Sequence, residues 1–364
     1  MPLSTAIPLI LKWLIRYKKQ SITLSVLFIG LIFFAIISIG TGPVTIAPKI
    51  VIQILASKLG WLELDDSFSQ FSAIVFSIRL PRVIMAMLIG ATLAVSGAAL
   101  QGLFRNPLAD PTLIGVSSGS ALAAASIIIL GAQLSVFLPA FISNALLPIA
   151  SFCGGLLATW LVYIISTKSG KTSVATMLLA GIAINALAAA GIGYLIFTAD
   201  DIQIRDITFW TLGSIGSSIW DTVFKTAPFL LISLIGLPLL SKHMNIMLLG
   251  ESEARHLGVN TQLIKKTVIV LAALGIGSAV AVSGIIGFVG LVVPHLLRLV
   301  IGPDHRFLMP GSILLGALLL LSSDLFARMI AVPAELPIGI VTSTIGAPFF
   351  LWLLVRKRSV ANYL

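Results

Sequence analysis

The chain has 364 residues, 58% hydrophobic and only 10% charged, with a net charge of +10. A soluble domain carries about 25% charged residues, so this composition excludes a water-soluble globule and makes the bilayer the solvent. The positive charge does not indicate nucleic acid, because the basic residues are scattered among short loops between apolar runs.

In hydrocarbon every backbone polar group must be paired internally. The apolar runs are long and lack the alternating ten-residue pattern of barrel strands, which predicts helices. Near the start, Lys12, Arg16, Lys18 and Lys19 precede apolar 22–39 with no A-x-A-like cleavage site following. This pattern predicts a retained first span rather than a removed signal peptide. Ten spans are expected, at roughly 22–40, 82–104, 114–131, 145–166, 174–197, 222–240, 264–282, 284–301, 309–328 and 336–355. The eighth contains Gly284, Gly287, Gly290 and Pro294, and such breaks survive only when buried in protein or lining a cavity. Cys153, the single cysteine, allows no intrachain disulfide and is expected to be a small core residue.

An even number of spans puts both termini on one side. With the ends inside, the inner basic set is Lys12, Arg16, Lys18, Lys19, Arg105, Lys168, Lys171, Lys242, Arg255, Lys265, Lys266, Arg298, Arg306, Arg356, Lys357 and Arg358. The outer set is Lys49, Lys58, Arg79, Arg82, Arg205, Lys225 and Arg328, a split of 16 to 7 among the 23 lysines and arginines. The positive-inside bias therefore orients the termini and the 241–266 loop to the cytoplasm.

The sequence also echoes itself. Residues 89–97 (IGATLAVSG) match 276–284 (IGSAVAVSG) at six of nine positions, and the same offset of 187 carries Pro107 onto Pro294. About five spans separate the copies, and an odd number inverts the second relative to the first. The reading is one membrane domain over 1–364, with approximate inverted repeats at 22–197 and 222–355.

The longest polar inner segment lies within 241–266, with a candidate coupling segment at 241–263. Glu251 and Arg255 have i,i+4 spacing, which suits a short helix stopped at Gly258. Such a helix between spans is a docking surface for a cytoplasmic partner, or a solvated loop helix. Other motifs fail on context. Gly170-Lys171-Thr172 lacks the upstream P-loop glycine, whose place is taken by Ile165, and Gly284-x-x-Gly-x-x-Gly follows a span rather than a strand. No paired acid sits mid-membrane as a proton-coupled carrier would need, since Asp324 lies near an outer span end.

Several segments together resemble the FecCD family, permeases of binding-protein-dependent importers for ferric siderophores, haem and cobalamin. They are 79–82 (RLPR), 102–111 (GLFRNPLADP), 179–181 (LAG), 250–260, 284–295 (GIIGFVGLVVPH) and 333–339 (PAELPIG). The likeness covers nearly the whole chain and is weakest before residue 70. It implies an all-α polytopic membrane protein, a type II permease of ATP-binding-cassette importers, working as a homodimer in the bacterial inner membrane. It also implies two cytoplasmic ATPase subunits that hold ATP and a periplasmic substrate-binding protein. This chain itself would be no enzyme and bind no cofactor, and its remaining neighbour would be membrane lipid. Gly250, Glu251, Glu253, Ala254, Arg255, Leu257 and Gly258 then match the family's coupling helix. Asn106 and Leu108 match an inner gate loop, and Arg79, Arg82 and Arg328 match outward arginines that dock the binding protein.

Plainer alternatives stand beside these roles. Arg79 and Arg82 could anchor a helix end at the headgroups, and Asp324 could pair with Arg328 at i,i+4. Asn185 is a candidate path residue or an interhelical hydrogen-bond partner. Gly191 lies among Gly181, Ala183, Ala186, Ala188, Ala189, Ala190 and Gly193, a run small enough to line a wide path or to pack helices closely. The segment 208–214 (TFWTLGS) resembles the haem branch most, with siderophore or cobalamin as substrate alternatives. A stand-alone secondary carrier is the rival from another class, and a scaffold without transport is disfavoured by the broken helices and the echo. His243, His256, His295 and His305 all fall toward the inner side, so no metal site is expected at the entrance.

Overall fold

The computed structural model describes residues 3–62, 68–135, 139–331 and 334–361. The side chains of Lys12, Arg16, Arg356, Lys357 and Arg358 lie outside what is described, as does Pro333. Among the described residues the architecture is helical, with one two-stranded hairpin. Among the described residues, seven helical stretches are long and apolar enough to cross a bilayer: Tyr17–Gly40, Ser69–Leu103, Ala145–Ser166, Val174–Thr198, Trp220–Leu239, Thr261–Ser283 and His305–Ile330. Three shorter apolar ones, Val116–Gly131, Val289–Ile301 and Ile338–Trp352, fall within the other three expected spans.

In chain order, α1 (Leu3–Gly40) and α2 (Pro48–Lys58) lead to α3 (Ser69–Ile74). One π turn, Val75–Arg79, joins α3 to α4 (Leu80–Leu103). A π turn frees a carbonyl from the helical ladder; here Phe76 O accepts from Trp220 Nε1 at 2.7 Å. Then come α5 (Val116–Ser135), α6 (Ala140–Ser166), the hairpin β1 (Thr167–Lys168) and β2 (Lys171–Thr172), and α7 (Val174–Thr198). The second half holds α8 (Asp201–Leu212), α9 (Trp220–Leu239), α10 (Ser241–Met247), α11 (Glu251–His256), α12 (Thr261–Ser283), α13 (Val289–Ile301), α14 (His305–Ile330) and α15 (Ile338–Ala361).

Helix α4 is the centre, buried along nearly its whole length. It packs on α9, α12, α13 and α14, while α5, α6 and α7 form a second group beside it. Small residues permit this. A Cβ added at Gly90 would fall 2.3 Å from Gly316 O of α14, and one at Gly316 would fall 2.4 Å from Gly90 O. Gly119 of α5 and Gly154 of α6 oppose one another in the same way. Apolar burial gives little drive in lipid, so backbone proximity of this kind carries helix association.

The eighth expected span is corrected. Residues 284–288 are not helical, and the helix begins only at Val289. Gly284 has φ +68 and ψ −166, a conformation open essentially to glycine alone. Phe288 also has positive φ, +66, so the non-helical stretch turns at both of its ends, and the thirteen-residue helix alone, about 20 Å long, is too short to cross a hydrocarbon core of about 30 Å. Cys153 is corrected too: it is exposed on α6 rather than packed in the core.

Candidate coupling and translocation sites

The ends of α4 and α12 define two poles. At the first, the start of α4 meets the end of α14 through Arg82, and the end of α12 meets the turn after α8, where Ser214 N donates to Ser283 O. At the second, Gly102 near the end of α4 lies against His305 and Met244, and the start of α12 meets β2 through Lys265. Helices α4 and α12 therefore run antiparallel.

At the first pole the three arginines do not form a free cationic surface. Arg82 is clamped by two carboxylates, donating to Asp324 at 2.8 Å and to Glu335 at 2.8 and 2.9 Å. Asp324 is 1% exposed and also pairs with Arg328 at 3.1 Å. Arg328 donates further to Ser38 Oγ at 2.7 Å and Thr41 O at 3.2 Å. Arg79 is buried and donates to the backbone carbonyls of Ile39 and Val44. The three arginines are held by internal partners, and the buried acid Asp324 satisfies two of the guanidiniums. Glu335 is half-exposed in the loop before α15. Its hydrogen bond from Arg82 holds its carboxyl below the usual range, against a smaller opposing effect of burial.

At the second pole the candidate coupling segment is a short helix, as its spacing predicts. Gly258 has φ +81 just past the C-cap Leu257, the left-handed stop that glycine supplies. Gly250, which is buried, opens it at φ +129. Ala254 is fully buried, while Glu253, Arg255, Leu257 and Gly258 face outward. Glu251 does not pair with Arg255 through its carboxylate. Arg255 Nε donates to the backbone O of Glu251 at 3.2 Å, and the carboxylate is taken by Lys265 at 2.6 Å.

The loop between α4 and α5 closes on itself. Asn106 Oδ1 accepts from Leu108 N at 3.0 Å, an Asx turn, and Asp110 caps the turn Pro111–Ile114 through Thr112 N. Asn106 is exposed and Leu108 half-buried. Behind them, buried Gln101 donates to Leu291 O at 3.2 Å and accepts from Arg298, tying the end of α4 to α13. Asn245 of α10 donates to Asp304 at 2.6 Å, and its Oδ1 accepts from His305 N at 2.9 Å. Burial raises the Asp304 carboxyl, but hydrogen bonds from Arg306 and Asn245 outweigh it and hold the pKa at about 2.

Asn185 is half-buried and hydrogen-bonded between helices. It accepts from Ser118 Oγ at 2.5 Å and donates to Thr112 O at 3.2 Å, joining α7 to α5 and the turn before it. Gly191 faces Leu122, whose Cδ1 lies 2.8 Å from an added Cβ, so it too is a packing position. The exposed positions of α7 include the small Ala183, Ala186, Ala189, Ala190 and Gly193 and also the bulky Leu179, Ile182, Leu187, Tyr194 and Phe197. A separate cavity of about 580 Å³ lies between α6, α9 and α12, lined by Phe152, Phe229 and Lys225 among others, and holds none of the expected site residues. Among the described residues no cluster of three or more His, Cys, Asp or Glu side chains could hold a metal.

Gln101, Asn245, Lys265 and Arg298 were missed as site residues. Gln101 and Arg298 border matched motifs, but Lys265 read only as an inner-loop charge.

A central glycine-packed span, a broken half-helix and a capped helix outside the spans define a polytopic transport permease. The model of the FecCD transport family matches residues 30–356, and the chain belongs to that family of ATP-binding-cassette permeases. It is 47% identical over 282 residues to the hemin transport system permease HmuU of Yersinia pestis, covering 78% of this chain and 83% of that one. Identity is 43% to the cobalamin import permease BtuC of Halobacterium salinarum, over 79% of this chain and 74% of that protein. The Fe(3+)-citrate import permease YfmE of Bacillus subtilis is 38% identical over 93% of this chain and 96% of its own length. A solved structure described as an inward-facing metal-chelate type ABC transporter superposes with a TM-score of 0.78 at 33% identity, covering 92% of this chain and 98% of that one.

Proposed function

We propose that this chain is the permease of an importer for an iron complex, with haem as its substrate. It works as a homodimer with two cytoplasmic ATPase subunits and a periplasmic binding protein. The observation that carries the coupling part is the surface of α11. Leu249 and Leu257 are 65% and 60% exposed beside outward Glu253 and Arg255, on a segment outside the spans. Exposed apolar side chains rimmed by charge are what a partner protein covers. Identity to the hemin permease supports haem, and the small exposed residues of α7 support a wide path shared with a second copy. Cobalamin is the second reading, supported by the 43% identical relative.

The purified complex in proteoliposomes, supplied with its native binding protein, is expected to take up haemin in an ATP-dependent manner. Gly193→Trp should block it, because an added Cβ at Gly193 meets nothing within 4 Å and the ring would project from α7. Uptake of cyanocobalamin or ferric citrate but not haemin would overturn the haem assignment. Uptake without nucleotide would favour the stand-alone carrier.

Orientation is proposed from the basic residues: both termini and α11 face the cytoplasm of a bacterial inner membrane. Exposed Cys153 must first be changed to Ala. A cysteine placed at Asn260 is then expected to resist an impermeant reagent in intact cells, and labelling there would reverse the orientation.

A further inference from the structure

Lys265 belongs to no motif and touches no surface. It lies one turn into α12 and is 2% exposed, yet both of its partners belong to other elements. Its Nζ donates to Glu251 Oε1 on α11 at 2.6 Å and to Thr172 O on β2 at 2.8 Å. On the adjacent turn Gln262 Oε1 accepts from Thr172 N at 2.9 Å, so both backbone groups of Thr172 are held by α12. Ser173 follows directly and caps α7, its side chain accepting from Thr176 N. One ammonium therefore joins the short helix outside the spans to α12 and to Thr172, the residue before the cap of α7.

The buried acid at the opposite pole is built differently. Asp324 and both of its arginine partners sit on spanning helices, which suits holding those helices together. The carboxylate on Lys265 comes from a six-residue helix that otherwise anchors by one buried alanine, Ala254. Arg255, correctly spaced to neutralise Glu251 locally, leaves the carboxylate free for Lys265. A displacement of α11 thus acts on a charge fixed in α12, and through Thr172 on α7, whose small exposed residues are the proposed path wall. A short charge-assisted pair, buried on the lysine side, transmits such a displacement with little slack.

We propose that Lys265 is a positioning residue that couples movement of α11 to α12 and α7, so that nucleotide hydrolysis on the partner is converted into opening of the path. This rests on the reading of α11 as the ATPase contact. The test uses the full complex in proteoliposomes, with whichever of haemin, cyanocobalamin and ferric citrate the wild type carries fastest. Three quantities are read: co-purification of the ATPase subunit, ATP hydrolysis, and uptake per ATP hydrolysed. In Lys265→Met, association and hydrolysis are expected to persist while uptake per ATP falls about tenfold. Lys265→Gln, which keeps a donor for Thr172 O, covers the case in which the methionine variant fails to fold, and is expected to uncouple as well. Adding Glu251→Gln to Lys265→Gln should lower the ratio no further, because the same link is already cut. Unchanged uptake per ATP in Lys265→Gln overturns the proposal. So does loss of ATPase association in step with uptake, since Lys265 would then only shape the docking surface. Glu253→Lys and Gly258→Trp are run in parallel. Undiminished association in both sinks the ATPase-contact reading and the Lys265 proposal with it. Loss of association there, with normal coupling in Lys265→Gln, sinks the Lys265 proposal alone.

Discussion

The nine-residue echo gives one sequence pattern two structures. At 89–97 the helix runs straight through Ser96-Gly97 and continues to Leu103. At 276–284 it stops at Ser283, and Gly284 turns to positive φ. Local propensity accounts for part of the difference. Ala98-Ala99-Leu100-Gln101 follows the first copy, all good helix formers, whereas Ile285-Ile286-Gly287 follows the second. The surroundings account for the rest. Gly97 stays helical because α13 crosses it at backbone contact, with Gly290 O 1.9 Å from an added Cβ. Gly284 instead lies against Trp210 O, and the preceding carbonyl accepts from Ser214 N at 2.7 Å. Matching residues in a repeat need not keep one conformation; one glycine serves close approach and the other backbone freedom.

Substitution at graded glycines can break this contrast. The largest effect is expected at Gly284→Ala, which adds backbone strain to a Cβ 2.1 Å from Trp210 O. It should cost on the order of 3 kcal/mol or more and be read as a lowered unfolding midpoint in detergent. Gly97→Ala carries no φ penalty but must push α4 from α13, at a cost of about 1–3 kcal/mol. If Gly97→Ala proves the more damaging of the two, then close approach and not φ dominates at both sites. Glu335→Gln comes next. It leaves Arg82 clamped by Asp324 and keeps a neutral acceptor in a half-exposed position, so about 1 kcal/mol or less is expected. The sign with pH follows from its lowered pKa. The Glu335 contribution is present above the ordinary carboxylate range and is lost as pH falls through its lower folded value. The wild type should therefore lose more stability than Glu335→Gln on acidification through and below pH of about 4, and parallel curves would remove Glu335 from the clamp. The smallest effect is expected at Gly287→Ala. It lies in the broken stretch, has no positive φ and meets nothing within 4 Å, so its midpoint should stay within about 0.5 kcal/mol of wild type. A large loss there would show that Gly287 as well as Gly284 is required in the broken stretch.

Composition and run length alone determined a membrane-embedded helical chain and the approximate places of the seven helices long enough to cross a bilayer and of three shorter apolar ones, because hydrocarbon admits few ways to pair a backbone. Gly258 at the end of a short polar helix was also legible, since the left-handed stop is a local requirement. The ordered motifs from RLPR to PAELPIG carried the family resemblance. What the sequence alone did not decide were the partners of its charges. Glu251 has Arg255 at ideal spacing yet pairs with Lys265, and Arg82 meets Asp324 and Glu335 from 242 and 253 residues away. Spacing along a chain sets which pairs are possible. Which of them form depends on which charges are desolvated together, and only the packing of α4, α12 and α14 settled that.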